Sequence, residues 1–312
     1  MKGVVRCASI GRAAATSRAA RHPLSIHDSG FTNHRIGGGR KSLGGGRKVP
    51  RVAASSYLNS APLIRSFARG ARRHEVDLLT DAAPARCADM LARGEADVAL
   101  VPTIEYQRMS DLVVVPDVCV GARRAVRSVV LVARSGDLRE VRTVALDESS
   151  RTSAALVRVI FREFFGRELE TTTARPDVVQ MLGGRDAALV IGDPAMTFAR
   201  EGLFVHDLAT LWRERTGLGF VFAMWMARAA EAEQARAVDF AAARDEGLAS
   251  LEEIVSEYSA ELGLPVPELR EYLTENIRFH LDEEMRAGLE LFFRLAHKHG
   301  VTDAARPLRA LA

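Results

Sequence analysis

Cysteine is scarce: Cys7, Cys87 and Cys119 are the only three in 312 residues, with no CxxC and no metal-ligand spacing. That excludes a disulfide framework. Cys87 and Cys119 sit in apolar contexts and read as small buried hydrophobes, which suits a reducing cytosol. No run of eighteen apolar residues occurs, so no membrane-spanning helix is expected. Neither HExxH nor a GxSxG elbow is present, the GxxxxGK[ST] phosphate loop is missing, and no GxGxxG follows a strand. Of the eight histidines, His22, His27 and His34 fall in the first fifty residues, and His297 and His299 read as solvated positions on a terminal helix. No metal site is expected. Trp212 and Trp225, the only tryptophans, read as packing residues.

Acid is almost absent from residues 1–50, which hold ten Lys or Arg and a single acid, Asp28. They carry +9, so the formal +3 of the chain leaves −6 on the remaining residues. A mildly acidic body argues against nucleic-acid binding. GGGRKSLGGGRK (37–48) has too few large apolar residues to pack, and residues 1–48 read as a disordered basic extension. The segment is Arg-rich and acid-poor, as transit peptides are, but has no secretory apolar region. Among a flexible tail, a targeting segment and sequence upstream of a misassigned start, the last is the expectation, with a start near Val49, because a strand begins immediately after.

Short apolar runs read as buried strands: 51–58, 96–102, 127–133, 143–147, 186–193 and 219–227. Helical patterns lie between them, at 84–93 with Gly94 as its stop, and at 152–165, where Leu156, Val159, Ile160 and Phe164 share a face. This alternation predicts an α/β fold with mainly parallel sheets. Beyond residue 229 only helices are expected, at 229–247, 249–262, 266–277 and 282–299, with Pro265 and Pro267 marking a break. Two α/β units joined by two extended crossovers, VRSVVLVAR and GFVFAMWMAR, describe a two-lobed binding-protein fold with a helical C-terminal region. The expected division is 49–126 plus 216–312 for the first lobe and its helices, and 127–215 for the second. The cleft then lies between lobes at the C-terminal strand ends.

Strand-end loops carry the candidates. In SSYLNSAPL (55–63), Tyr57 and Leu58 read as a strand end, and Asn59 is either a helix cap or an amide facing ligand. In ALDESSRTS (145–153), Ser149, Ser150, Thr152 and Ser153 crowd a helix start around Arg151. Free backbone N–H groups and the helix dipole make an anion site there, and a carboxylate is the natural guest. Ser128 opens the crossover strand where both lobes meet. Gly192 permits close backbone approach, and Asp193 before Pro194 is either an N-cap or a ligand contact. Glu105 reads as a cap or structural partner, with ligand contact as the alternative.

Taken in order, SYLNSAPL, ADMLARGEADVALVPTIEY, VVVPDVCVGARRAVRSVVLVAR, TVALDESSRTSAALVRVI, DAALVIGDPAM and HDLATLWRERTGLGFVFAMWMAR make residues 50–228 resemble the chorismate dehydratases of the futalosine route to menaquinone. The resemblance implies a type II periplasmic-binding-protein fold used as a cytoplasmic enzyme. It implies that water is eliminated from chorismate without a cofactor, giving 3-[(1-carboxyvinyl)oxy]benzoate, with Asn59 and Ser128 central to the site. Tyr57, at the strand end before Asn59, is taken with the substrate-binding candidates. ARRAV before Ser128 departs from the pattern, where a Gly or Pro is expected. The other readings are a solute-binding protein for a small carboxylate, the sibling 1,4-dihydroxy-6-naphthoate synthase and a ligand-sensing module. SYLN and SSRTS favour the dehydratase over the sibling, and no DNA-binding segment is evident in the body. Oligomeric state is not legible.

Overall fold

The structure, a computed structural model, describes residues 49–311. The basic segment 1–48, with Cys7, lies outside the described residues. The chain opens with β1 (Arg51–Ser55), a 3₁₀ turn at Leu58–Ser60 and α1 (Ala61–Arg69), then β2 (Asp77–Asp81), α2 (Pro84–Ala92), β3 (Val98–Pro102), α3 (Glu105–Arg108) and β4 (Leu112–Ala122). It continues through β5 (Val129–Ala133), β6 (Thr143–Asp147), α4 (Thr152–Phe164), β7 (Glu170–Ala174), α5 (Val178–Met181), β8 (Ala187–Ile191), α6 (Pro194–Thr197), β9 (Phe204–Asp207) and α7 (Leu208–Thr216). β10 (Phe220–Arg228) leads out to α8 (Ala232–Arg236), α9 (Phe240–Ala249), α10 (Leu251–Leu262), α11 (Val266–Glu271) and α12 (Glu283–Lys298).

Two five-stranded sheets result, ordered β2-β1-β3-β10-β4 and β7-β6-β8-β5-β9. The expectation of mainly parallel sheets needs correction, because each sheet is mixed. β1 pairs in parallel with β2 and β3, but β10 lies antiparallel to both β3 and β4. In the second sheet β6 is parallel to β7 and β8, whereas β5 is antiparallel to β8 and β9. In both cases the reversed strand is the one arriving from the other sheet, so it enters from the opposite end. β3 and β8 are buried along their whole length, as strands covered on both faces must be.

Other boundaries differ for local reasons. β1 stops at Ser55 rather than Leu58: Ser56 N–H still donates to Asp81 O (2.9 Å), but Leu58 N–H turns to the Asp193 carboxylate (3.1 Å). The helix expected at 229–247 breaks before Asp239, whose side chain caps α9 by accepting from Ala242 N–H (2.9 Å). α11 relaxes into a π-helical turn at Tyr272–Asn276. Arg127 takes φ +61°, the left-handed backbone that favours glycine, which gives the departure noted before Ser128 a physical content. Asp207 holds that turn by accepting from Val126 N–H (2.9 Å) and Arg127 N–H (2.6 Å), and Glu268 pairs with the Arg127 guanidinium (2.6 Å).

Trp212 and Trp225 are fully buried. Trp212 packs on Phe164, Phe220 and Phe292 at centroid distances of 6.4, 5.5 and 6.3 Å, so one aromatic cluster joins α4, α7, β10 and α12. Cys87 and Cys119 are buried and free, and burial pushes the Cys87 thiol up to about 12. His297 is exposed, as expected; His299 is not, because it is half-buried against Glu163 (2.6 Å).

α1 and α9 meet backbone to backbone at Gly247. A Cβ there would lie 1.8 Å from Pro62 O. Gly247→Ala is therefore expected to destabilise the fold by about 1–3 kcal/mol, read as a lower denaturant midpoint. An unchanged midpoint would show that the two helices separate without loss.

Candidate active site

The cleft lies where the C-terminal ends of β1, β3, β6 and β8 face each other. Its walls are Tyr57, Asn59 and Ser60 from the first lobe and Ser149–Ser153, Ile191 and Gly192 from the second, over an apolar floor that includes Leu100, Val129 and Phe222. It is a narrow slot of about 50 Å³, or about 500 Å³ with its open mouth.

The second-lobe wall is organised by Asp147, buried at the end of β6. Its carboxylate accepts from Ser149 N–H (2.9 Å), Ser149 O–H (2.6 Å) and Ile191 N–H (3.2 Å), while burial raises its pKa. The Ser149 proton is thereby committed, so in the 3.4 Å contact between Tyr57 and Ser149 the Tyr57 phenol donates. Burial pushes that phenol up to about 12, which keeps it a donor. α4 begins at the next residues, and no side chain caps it. Ser150 Oγ is buried on the cavity wall and has no hydrogen-bond partner. An uncapped thirteen-residue helix aimed at a cleft beside a free hydroxyl is an anion-binding arrangement.

On the first-lobe wall, Asn59 is not a helix cap. It sits in the 3₁₀ turn, and Ser60 precedes α1 without a side-chain capping bond. Asn59 Oδ1 accepts from Ser60 O–H (3.3 Å), and the Asn59 side chain also bonds the Tyr272 phenol. Tyr272 was not anticipated. Fully buried in the π-helical turn, it donates to Ser128 Oγ (2.7 Å) and so links Asn59 to Ser128. Burial pushes its phenol well up, which fixes it as a donor. Ser128 is completely buried behind the wall, held also by Gly192 N–H donating to its carbonyl (2.8 Å).

Several remaining candidates join the lobes. Asp193 makes no side-chain cap; its carboxylate accepts from Leu58 N–H across the cleft (3.1 and 3.3 Å). Arg151 spans to Asp89 (2.6 Å) and Glu105 (3.3 Å), so its charge is engaged by the first lobe rather than turned to the slot. Glu105 is buried and also pairs with Arg108 (2.9 Å). Thr152 Oγ1 bonds Thr103 Oγ1 (3.3 Å) and accepts from Ile104 N–H (3.2 Å). Ser153 lines the wall as expected, and Gly192 lets the Tyr57 ring approach its backbone. Among the described residues no group of three or more His, Cys, Asp or Glu is arranged to hold a metal ion, and no helix is long and apolar enough to cross a membrane.

Burial pushes the Asp193 carboxyl up to about 7, with the Leu58 N–H contact opposing. A raised acid contributes stability that is full below its ordinary value of about 4 and is lost as pH rises through about 7. Asp147 and Asp207 are raised by burial too, so the comparison must isolate Asp193. Asn mimics the neutral acid. The thermal midpoint of Asp193→Asn should come closest to that of the unsubstituted protein at about pH 4 and exceed it by a wider margin at about pH 8. Equal differences at both pH values would refute the assignment.

A sequence model for menaquinone biosynthesis proteins matches residues 50–298, nearly all of the described chain. The chain belongs to the menaquinone biosynthesis family. Consistent with that family, it is 33% identical over 256 residues to the chorismate dehydratase of Thermus thermophilus, covering 76% of this chain and 91% of the relative. Solved structures give the fold: a protein from Archaeoglobus fulgidus (TM-score 0.65, 18% identity, 81% of this chain and 98% of that one) and the periplasmic aliphatic sulphonate binding protein SsuA of Escherichia coli (TM-score 0.56, 17% identity, 83% and 92%). The family member described here thus has a two-lobed α/β fold of the periplasmic-binding-protein type with C-terminal helices.

Proposed function

We propose that this protein is a cytoplasmic chorismate dehydratase of menaquinone biosynthesis, a lyase that eliminates water from chorismate to give 3-[(1-carboxyvinyl)oxy]benzoate. The observation that carries the reading is the uncapped start of α4 with the unpartnered Ser150 hydroxyl on the cleft wall, since chorismate presents two carboxylates. Similarity to the Thermus thermophilus enzyme supports it. The slot is small beside the roughly 300–1,000 Å³ of ligand pockets, so substrate entry requires the lobes to part and close again.

The chemistry asks little of the protein. The ring proton on the ether-bearing carbon is acidified through conjugation to the ring carboxylate. Its removal gives a delocalised anion, and expulsion of the neighbouring hydroxyl completes an aromatic ring, with proton and hydroxyl leaving as water. Orientation and charge stabilisation suffice. In this mechanism α4 holds a carboxylate and Asn59 orients the reacting face, while Ser128, buried behind the wall, holds Asn59 in place through Tyr272. Asn and Ser are poor bases, so the side-chain carboxylate of the substrate takes the proton. Asp193 and Glu105 are the protein-borne alternatives, and both are engaged in joining the lobes.

Purified protein incubated with chorismate should form the enolpyruvyl benzoate, followed by chromatography. Folded protein that binds chorismate without converting it would favour a solute-binding role, which the likeness to SsuA in fold makes the second reading.

A further inference from the structure

Away from the cleft, a second pocket of about 240 Å³ is walled by Arg158 and Arg162 of α4, Glu168 and Leu169 just before β7, Thr171 of β7, and Gly300 and Val301 just beyond α12. Arg162 is satisfied by Glu168 and by the carbonyl of His299. Arg158 is not satisfied in the same way. Its guanidinium donates to Thr171 Oγ1 (3.1 Å), and among the described residues no carboxylate pairs with it. It also faces like charge: burial and the positive charges of Arg108 and Arg162 lower its pKa. A guanidinium stays protonated in such a setting, so it keeps a half-buried positive charge, while Glu168, the carboxylate on the pocket wall, is paired with Arg162.

We propose that this pocket is a second anion site, taking the phosphate group of a small phosphorylated metabolite or inorganic phosphate. The Arg158 guanidinium and the Thr171 hydroxyl match two oxygens of a tetrahedral oxyanion, Arg162 joins them once the anion displaces Glu168, and the pocket has room for more than the bare ion. Such a ligand would tie the end of α12 to α4, whose other end forms the cleft wall. The site is independent of the reaction proposed above.

The test is thermal denaturation and titration calorimetry of the full chain with inorganic phosphate and, separately, glycerol 3-phosphate, against chloride at equal ionic strength. Binding at about ten times the dissociation constant should raise the midpoint by about 2–5 °C. Arg158→Gln should weaken that binding at least about tenfold, with its circular dichroism spectrum unchanged. Arg162→Gln serves as the second variant, with the same weakening expected. Ser150→Ala, which alters the cleft, should keep the shift. Tighter binding of glycerol 3-phosphate than of phosphate would identify a metabolite site, and equal binding a site for the free ion. No shift with either probe, or a shift retained in both arginine variants and lost in Ser150→Ala, would overturn the proposal.

Discussion

Asn59→Ala should lower kcat/KM for chorismate by about 10²–10³-fold, the effect of deleting one preorganised polar group from a site that stabilises developing charge. The fold should survive, because the amide caps no helix and, among the described residues, its side chain bonds Ser60 and Tyr272 alone. The loss arises at both ends of the chain Asn59–Tyr272–Ser128: the substrate loses a contact that both donates and accepts, and Tyr272 loses one of the two partners that orient its phenol. Steady-state kinetics with matched circular dichroism measure it. Asn59→Asp separates the roles. A faster enzyme with a new acidic pKa in its pH profile would mean that position 59 can supply the base, and a purely orienting role would be untenable.

Gly192→Ala should be the most damaging single-methyl change in the cleft. Gly192 has φ +66°, where an L side chain costs about 1–2 kcal/mol, and a Cβ there would lie 2.4 Å from the Tyr57 ring. The clash is relieved only by moving Tyr57 and Gly192 apart, which breaks the Tyr57–Ser149 contact and strains the Leu58–Asp193 contact beside it. Closure, more than folding, is what suffers. Turnover should drop more than about tenfold through the lost positioning, and small-angle scattering should report a larger radius of gyration. Full activity in a folded variant would show that the lobes do not need this contact.

The strands legible in the sequence and those that were not divide by position in the sheets. β1, β3, β10, β6, β8 and β5 are interior, and each reads as an apolar run. β2, β4, β7 and β9 are all edges. DLLTD and ETTTA leave residues exposed, and β4 is interrupted by exposed Pro116 and Asp117, the latter at φ +57°. An edge strand has one strand neighbour, and the solvated side of β2 and β7 dilutes their pattern with polar residues, whereas β4 is covered on that side by bridges to Arg278 and Ala310 and is broken only at Pro116–Asp117. The site shows a similar division. Loops at strand ends pointed to Tyr57, Asn59, the hydroxyl-rich start of α4 and Gly192, all of which line the slot. Tyr272 could not be found that way: it lies 144 residues from Ser128, in a stretch with only ordinary helical periodicity. Charged residues chosen for ligand contact, Arg151, Glu105 and Asp193, answer to partners in the opposite lobe, which only the assembled pair of sheets reveals.

The position of β10 between β3 and β4 has a consequence for synthesis. β4 has left the ribosome about a hundred residues before β10, the only strand of its sheet that it pairs with. The second sheet, by contrast, is drawn wholly from the continuous stretch 129–207. As the chain emerges, that inserted sheet can close first, while an apolar strand waits unpaired beside an unfinished one. The nascent polypeptide is therefore most prone to self-association between the completion of β4 and the arrival of β10. Ribosome-bound chains stalled in that interval are the species a holdase would be expected to meet.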